Sequence, residues 1–206
     1  MPMPKYVVLL LIFLASPVFA ATPRLVPVAD PTQRLEFEGF SILPPQTKGW
    51  VLVEPPIQVE PNLTARVYFI KSLTGEGASS GSELHRLTAV VRTFNVEAAK
   101  TGTPTEILKS MGTGMSGEVA LGKCFGRDCL RYQSTTELRD NPTYPGRVFL
   151  LNKTGYFVLH PESTAFVINV EYRQYHSRGA KPLSQAALEA EVEPFQTSLQ
   201  FTAVRR

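Results

Sequence analysis

Ala165-Phe166-Val167-Ile168-Asn169-Val170-Glu171-Tyr172-Arg173-Gln174-Tyr175 is the stretch whose pattern decides the fold. Side chains of an extended chain alternate between two faces. Phe166, Ile168, Val170 and Tyr172 therefore fall on one side, and Val167, Asn169, Glu171 and Arg173 on the other. β-branched and aromatic residues dominate, as a half-buried pleated surface requires. Working back from it, Pro161-Glu162-Ser163-Thr164 reads as a turn and Tyr156 to His160 as a strand. Asn152-Lys153-Thr154-Gly155 reads as a second turn and Arg147 to Leu151 as another strand. Strands joined by such short turns form a meander and pair antiparallel.

Further strands are expected at Leu130 to Leu138, Leu84 to Phe94, Arg66 to Lys71, Trp50 to Val53 and Leu35 to Leu43. Gly39 breaks the alternation of the last of these and suggests a bulge or a close backbone contact. A Gly- and Ser-rich stretch, 74–82, reads as a loop. The clearest helix start is Thr103-Pro104-Thr105-Glu106: a capping threonine, a proline at the first helical position and a glutamate completing a capping box. Ile107, Leu108, Met111 and Met115 follow at helical spacing, and Gly112 and Gly114 limit the helix to two or three turns. Near the end, Leu188, Val192, Phe195 and Leu199 form one helical stripe, in which Pro194 predicts a kink or restart. Leu199 to Val204 then reads as an edge strand. The expectation is an α+β domain over residues 34–206, an antiparallel sheet flanked by a few helices. A proline-rich extended leader, 21–33, precedes it.

Residues 1–20 read as an export signal: Lys5, an apolar run from Tyr6 to Ala15, then Pro17-Val18-Phe19-Ala20 before a cut at Ala21. The run is too short for a membrane span, which takes about 20 residues, and no later run approaches that length. The expected location is periplasmic or extracellular. Hydrophobic residues are 43% and charged residues 19% of 206, a globular composition. Twenty-one basic and 18 acidic side chains are interspersed, giving +3 with no basic run, so nucleic-acid binding is not expected. Cys124 and Cys129, the two cysteines, enclose Phe125-Gly126-Arg127-Asp128. In an oxidising compartment that spacing reads as a disulfide closing a turn. A redox pair usually has two intervening residues and a helix N-terminus.

Motifs that carry chemistry are sparse. Gly112-Thr113-Gly114-Met115-Ser116-Gly117 matches the dinucleotide fingerprint in letters but follows a helix instead of opening one, and reads as a helix C-terminal loop. No nucleophile elbow, metal-ligand spacing or other cofactor motif occurs, so neither metal nor cofactor is expected. His85, His160 and His176 fall on or beside strands, with His160 at a strand end before Pro161. Arg131, Arg147, Arg173 and Arg178 cluster around the meander; several on one face would take an acidic partner or an anion. His160 and Arg173 are the candidate binding residues. The sequons at Asn62 and Asn152 read as turn residues.

Phe37-Glu38-Gly39-Phe40-Ser41-Ile42-Leu43-Pro44-Pro45, followed by Gly49-Trp50, resembles the opening of PsbP-like and Mog1-like domains. Pro194-Phe195-Gln196-Thr197-Ser198-Leu199-Gln200-Phe201 is similar to their closing helix-to-strand pattern. The resemblance implies a sheet sandwiched between helices and a binding or assembly role instead of catalysis. The cysteine pair lies outside that pattern. The leading expectation is a non-enzymatic exported domain that binds a protein partner or small ligand, as an assembly factor of the cell envelope. The alternatives are a secreted hydrolase with a site around His85 or His160, and an envelope structural protein.

Overall fold

A computed structural model describes residues 24–54, 63–73, 85–96, 102–139, 145–180 and 183–204. Its strands are β1 (Arg24–Pro27), β2 (Leu35–Phe37), β3 (Phe40–Ile42), β4 (Val51–Glu54), β5 (Leu63–Ser72), β6 (His85–Asn95), β7 (Glu118–Cys124), β8 (Arg127–Leu138), β9 (Phe149–His160), β10 (Ser163–Ser177) and β11 (Gln200–Phe201). The helices are α1 (Pro104–Met111) and α2 (Gln185–Thr197). The expected export signal and the loop over 74–82 lie outside the described residues. Arg24 to Pro27, inside the stretch read as a leader, pairs with β4 as an edge strand.

Eight strands form one antiparallel sheet in the order β1-β4-β5-β6-β10-β9-β8-β7, and β11-β3-β2 form a small second sheet. This corrects the α+β, helix-sandwiched expectation: the chain is mostly antiparallel sheet, and its described helices have only 8 and 13 residues. Two stretches account for the difference. Glu118–Cys124, for which the sequence pattern predicts no strand, forms β7 against β8. Asn152 to Gly155, read as a turn, instead lies inside the 12-residue β9. There the backbone is paired on both sides, to β8 and β10, so turn chemistry loses to two ladders of hydrogen bonds. Asn152 also has its side chain engaged, accepting from Thr135 Oγ1 at 2.9 Å.

The alternation in β10 holds. Ile168, Val170 and Tyr172 pack with Val67, Phe69, Leu87, Ala89, Val91 and Val158 against Val192 and Phe195 of α2, forming the larger core. Val167 faces the other way, with Leu130, Tyr132, Phe157 and Leu159 under Ile107 and Leu108 of α1. The two faces are called here the α2 face and the α1 face.

Local signals explain the ends. Thr103 caps α1, its hydroxyl accepting from Glu106 N while Glu106 reaches back to Thr103 N, and Gly112 closes the helix. The glycine motif is therefore a helix C-terminal loop, and Gly117 at φ 98° lies against the β8 backbone, where a side chain would collide with Gln133 O. Gly39 sits at φ 80° in a two-residue turn between β2 and β3, so the expected bulge is a hairpin. α2 runs through Pro194 to Thr197. Cys124 and Cys129 are disulfide-bonded across the β7–β8 hairpin, whose tip residues Phe125 and Gly126 have φ 54° and 72°. Among the described residues no helix is long and apolar enough to cross a membrane.

Candidate functional site

Register brings a charged network together on the α1 face, beside the helix. Tyr132, Gly155 and Glu171 stand directly opposite one another on β8, β9 and β10. Gly155 has no side chain, so the Tyr132 ring lies across β9 and its hydroxyl donates to Glu171 Oε2 at 2.8 Å, two strands away. A Cβ on Gly155 would meet the Tyr132 hydroxyl at 2.8 Å and would also press on the Val170 carbonyl. Arg92 Nη1 on β6 donates to Glu171 Oε1 at 3.0 Å and to Asn169 Oδ1 at 3.0 Å. Arg173 Nε donates a short bond to the same Glu171 oxygen. Asn169 Nδ2 donates to the Tyr132 hydroxyl (3.0 Å) and to Tyr156 O (3.1 Å).

Glu171 and Asn169 are buried, whereas the side chains of Arg92 and Arg173 remain 15% and 24% exposed. The network is thus sealed below and open above. Burial alone pushes the Glu171 carboxyl up, but Arg173, Arg92 and the Tyr132 hydroxyl together outweigh it and hold the group below its ordinary range. Tyr132 is pushed far up, by burial first and then by the Glu171 charge, so it stays a hydrogen-bond donor. The arrangement holds a carboxylate and a phenol in fixed protonation states and presents guanidinium groups to the surface. It places no nucleophile beside a base.

The two candidate binding residues lie on opposite faces. Arg173 belongs to the network. His160, on the α2 face, has Nε2 against Thr202 O at 2.8 Å and accepts from Glu162 N at Nδ1, 3.1 Å, so it tethers the chain after β11. The arginine cluster does not share one face either: Arg131 is on the α2 face, bonded to Lys123 O, and Arg178 pairs with Glu137. His176 and His85 face each other across β10 and β6 on the α2 face, rings 5.8 Å apart. His176 meets Ser177 O and Asn152, and His85 Nε2 meets Gln174.

A second polar cluster ties α2 to the sheet. Lys71 pairs with Glu191 at 2.6 Å, and Trp50 Nε1 donates to Thr47 Oγ1 and Glu191 Oε2. Sequence reasoning singled out Arg173 but missed Arg92, Tyr132, Asn169 and Glu171. The available signal was the run Asn169, Glu171, Arg173 on one face of a strand whose other face is apolar.

No protein-family model matches this chain, and no curated protein matches it, so the PsbP-like and Mog1-like resemblance finds no match there. Among solved structures it is similar to LpqN, described as involved in cell envelope biogenesis of Mycobacterium tuberculosis, with 8% identity over 88% of this chain and 91% of that one and a TM-score of 0.41.

Proposed function

We propose that this chain is an exported, non-enzymatic domain that binds a protein partner or small ligand in the cell envelope, and that the α1 face around Arg173 is its binding face. The observation that carries this reading is the Arg92–Glu171–Arg173 network with Tyr132 and Asn169 beneath it. Taking three charges out of water costs several kcal/mol per ion before pairing offsets it, and apolar residues would hold a sheet face at least as well. A network that is satisfied below and open above suits recognition, where preformed donors bind without reorganising. The apolar N-terminal run and the Cys124–Cys129 bond support an oxidising compartment outside the cytoplasm.

The hydrolase reading has less support. His160 places both ring nitrogens on backbone groups, as a structural histidine does. An assembly role that uses no small ligand predicts partner proteins alone. Native mass spectrometry of the protein purified from its own envelope tests the reading. A retained ligand or partner, released by Arg173→Gln, supports it. Turnover in a substrate screen that His160→Ala abolishes sinks it.

A further inference from the structure

We propose that the α1 face around Arg173 and Lys153 is a binding site for an anionic group, a phosphate or carboxylate carried by the ligand; this rests on the binding reading above. The register places Arg173 directly opposite Lys153 of β9 and Thr88 of β6, with Arg86 two residues to one side of Thr88 and Arg92 four residues to the other, all on one face. The positions facing the same way in this region also include Thr88, Val90, Tyr175, Leu151, Gly155, Ser134 and Thr136, and Glu171 is the one carboxylate among them. Four cations thus share one acid.

That acid is already filled. One Glu171 oxygen takes Arg92 and Arg173, and the other takes Tyr132. Among the described residues, Arg173 is bonded through Nε alone, so both terminal amino groups of its fork are left over, and the Lys153 ammonium has no hydrogen-bond partner. Arg86 lies over the Tyr175 ring at 5.4 Å, and its buried Nε has no partner. Like charges directly opposite each other across a sheet are destabilising. An oxyanion between Arg173 and Lys153 turns that repulsion into two attractions. A guanidinium already held by one edge presents the paired donors that fit phosphate and carboxylate oxygens.

The test uses the full exported chain with its disulfide intact. Inorganic phosphate and acetate are titrated while amide and guanidinium resonances are followed by NMR, and flotation is measured with phosphatidylglycerol and phosphatidylcholine vesicles. Arg173→Gln and Lys153→Met are each expected to weaken anion binding about tenfold, the loss of one charge-assisted bond. Arg178→Gln, whose exposed guanidinium pairs with Glu137 elsewhere, leaves it unchanged. Lys153→Met removes no internal hydrogen bond, so it keeps the test valid if Arg173→Gln fails to fold. Phosphate binding without vesicle binding identifies a soluble anionic ligand. Vesicle binding lost in Lys153→Met identifies a lipid headgroup. Absence of binding to every probe, or binding indifferent to both variants, overturns the anion site. If an envelope ligand still co-purifies with Lys153→Met, the binding reading survives and only the anion site fails.

Discussion

Gly155→Ala is the sharpest single test of the network, because one methyl group attacks its geometry without touching a charge. The new Cβ would meet the Tyr132 hydroxyl at 2.8 Å and its Cζ at 3.0 Å, and would press on the Val170 carbonyl, which is backbone and cannot swing aside. Overpacking of this kind costs about 1–3 kcal/mol. Driving the Tyr132 hydroxyl off Glu171 loses a charge-assisted hydrogen bond worth about 1.5–3 kcal/mol. The total is about 4 kcal/mol, or a fall in Tm of about 10 °C for a chain of this size. Urea unfolding followed by fluorescence of Trp50, the sole tryptophan and 2% exposed, measures it. A double-mutant cycle with Tyr132→Phe isolates the cause. Alone, Tyr132→Phe removes the same bond. In the Gly155→Ala background it should cost almost nothing, giving a coupling of about 2 kcal/mol. Additive costs, or a Gly155→Ala protein within about 1 kcal/mol of the parent, would refute the claim that the missing side chain is what lets Tyr132 reach Glu171.

Acid titration tests the carboxylate. Glu171 is held below its ordinary value of 4.5, so its stabilisation is full above that pH and is lost as pH falls through the native value. Glu171→Gln should flatten the fall in stability below pH 4.5 and should cost about 3–5 kcal/mol at neutral pH by leaving two guanidiniums without their acid; equal acid slopes in urea melts would contradict this. Replacing Cys124 and Cys129 with serine should cost about 2 kcal/mol, the closure entropy of so short a loop, with the fold retained; loss of native circular dichroism at room temperature would show that the bond does more than pin a hairpin. Thr103→Ala should cost about 1 kcal/mol through the lost cap, seen as a lower denaturation midpoint at unchanged m-value; an unchanged midpoint would argue that α1 is held by Ile107 and Leu108 alone.

Features encoded within a few residues were legible in the sequence. The two faces of β10 follow from a period of two, the start of α1 from a threonine, a proline and a glutamate at fixed offsets, and the cysteine bond from a spacing that only a turn can close. Where local chemistry and tertiary pairing disagree, the sequence misleads. Asn152-Lys153-Thr154-Gly155 has the composition of a turn, yet lies mid-strand, because β8 and β10 offer its backbone partners on both edges. That one misreading hid the candidate site. With a turn at Gly155 there is no register that sets Tyr132, Gly155 and Glu171 in a row, and no reason for Arg92 to share their face. Composition and periodicity by themselves determined antiparallel strands with Arg173 on the polar side of the best of them. Which residues gather with Arg173 around Glu171 was decided only by strand order and register, since residues 39 to 79 positions apart in the chain touch only once the sheet is assembled.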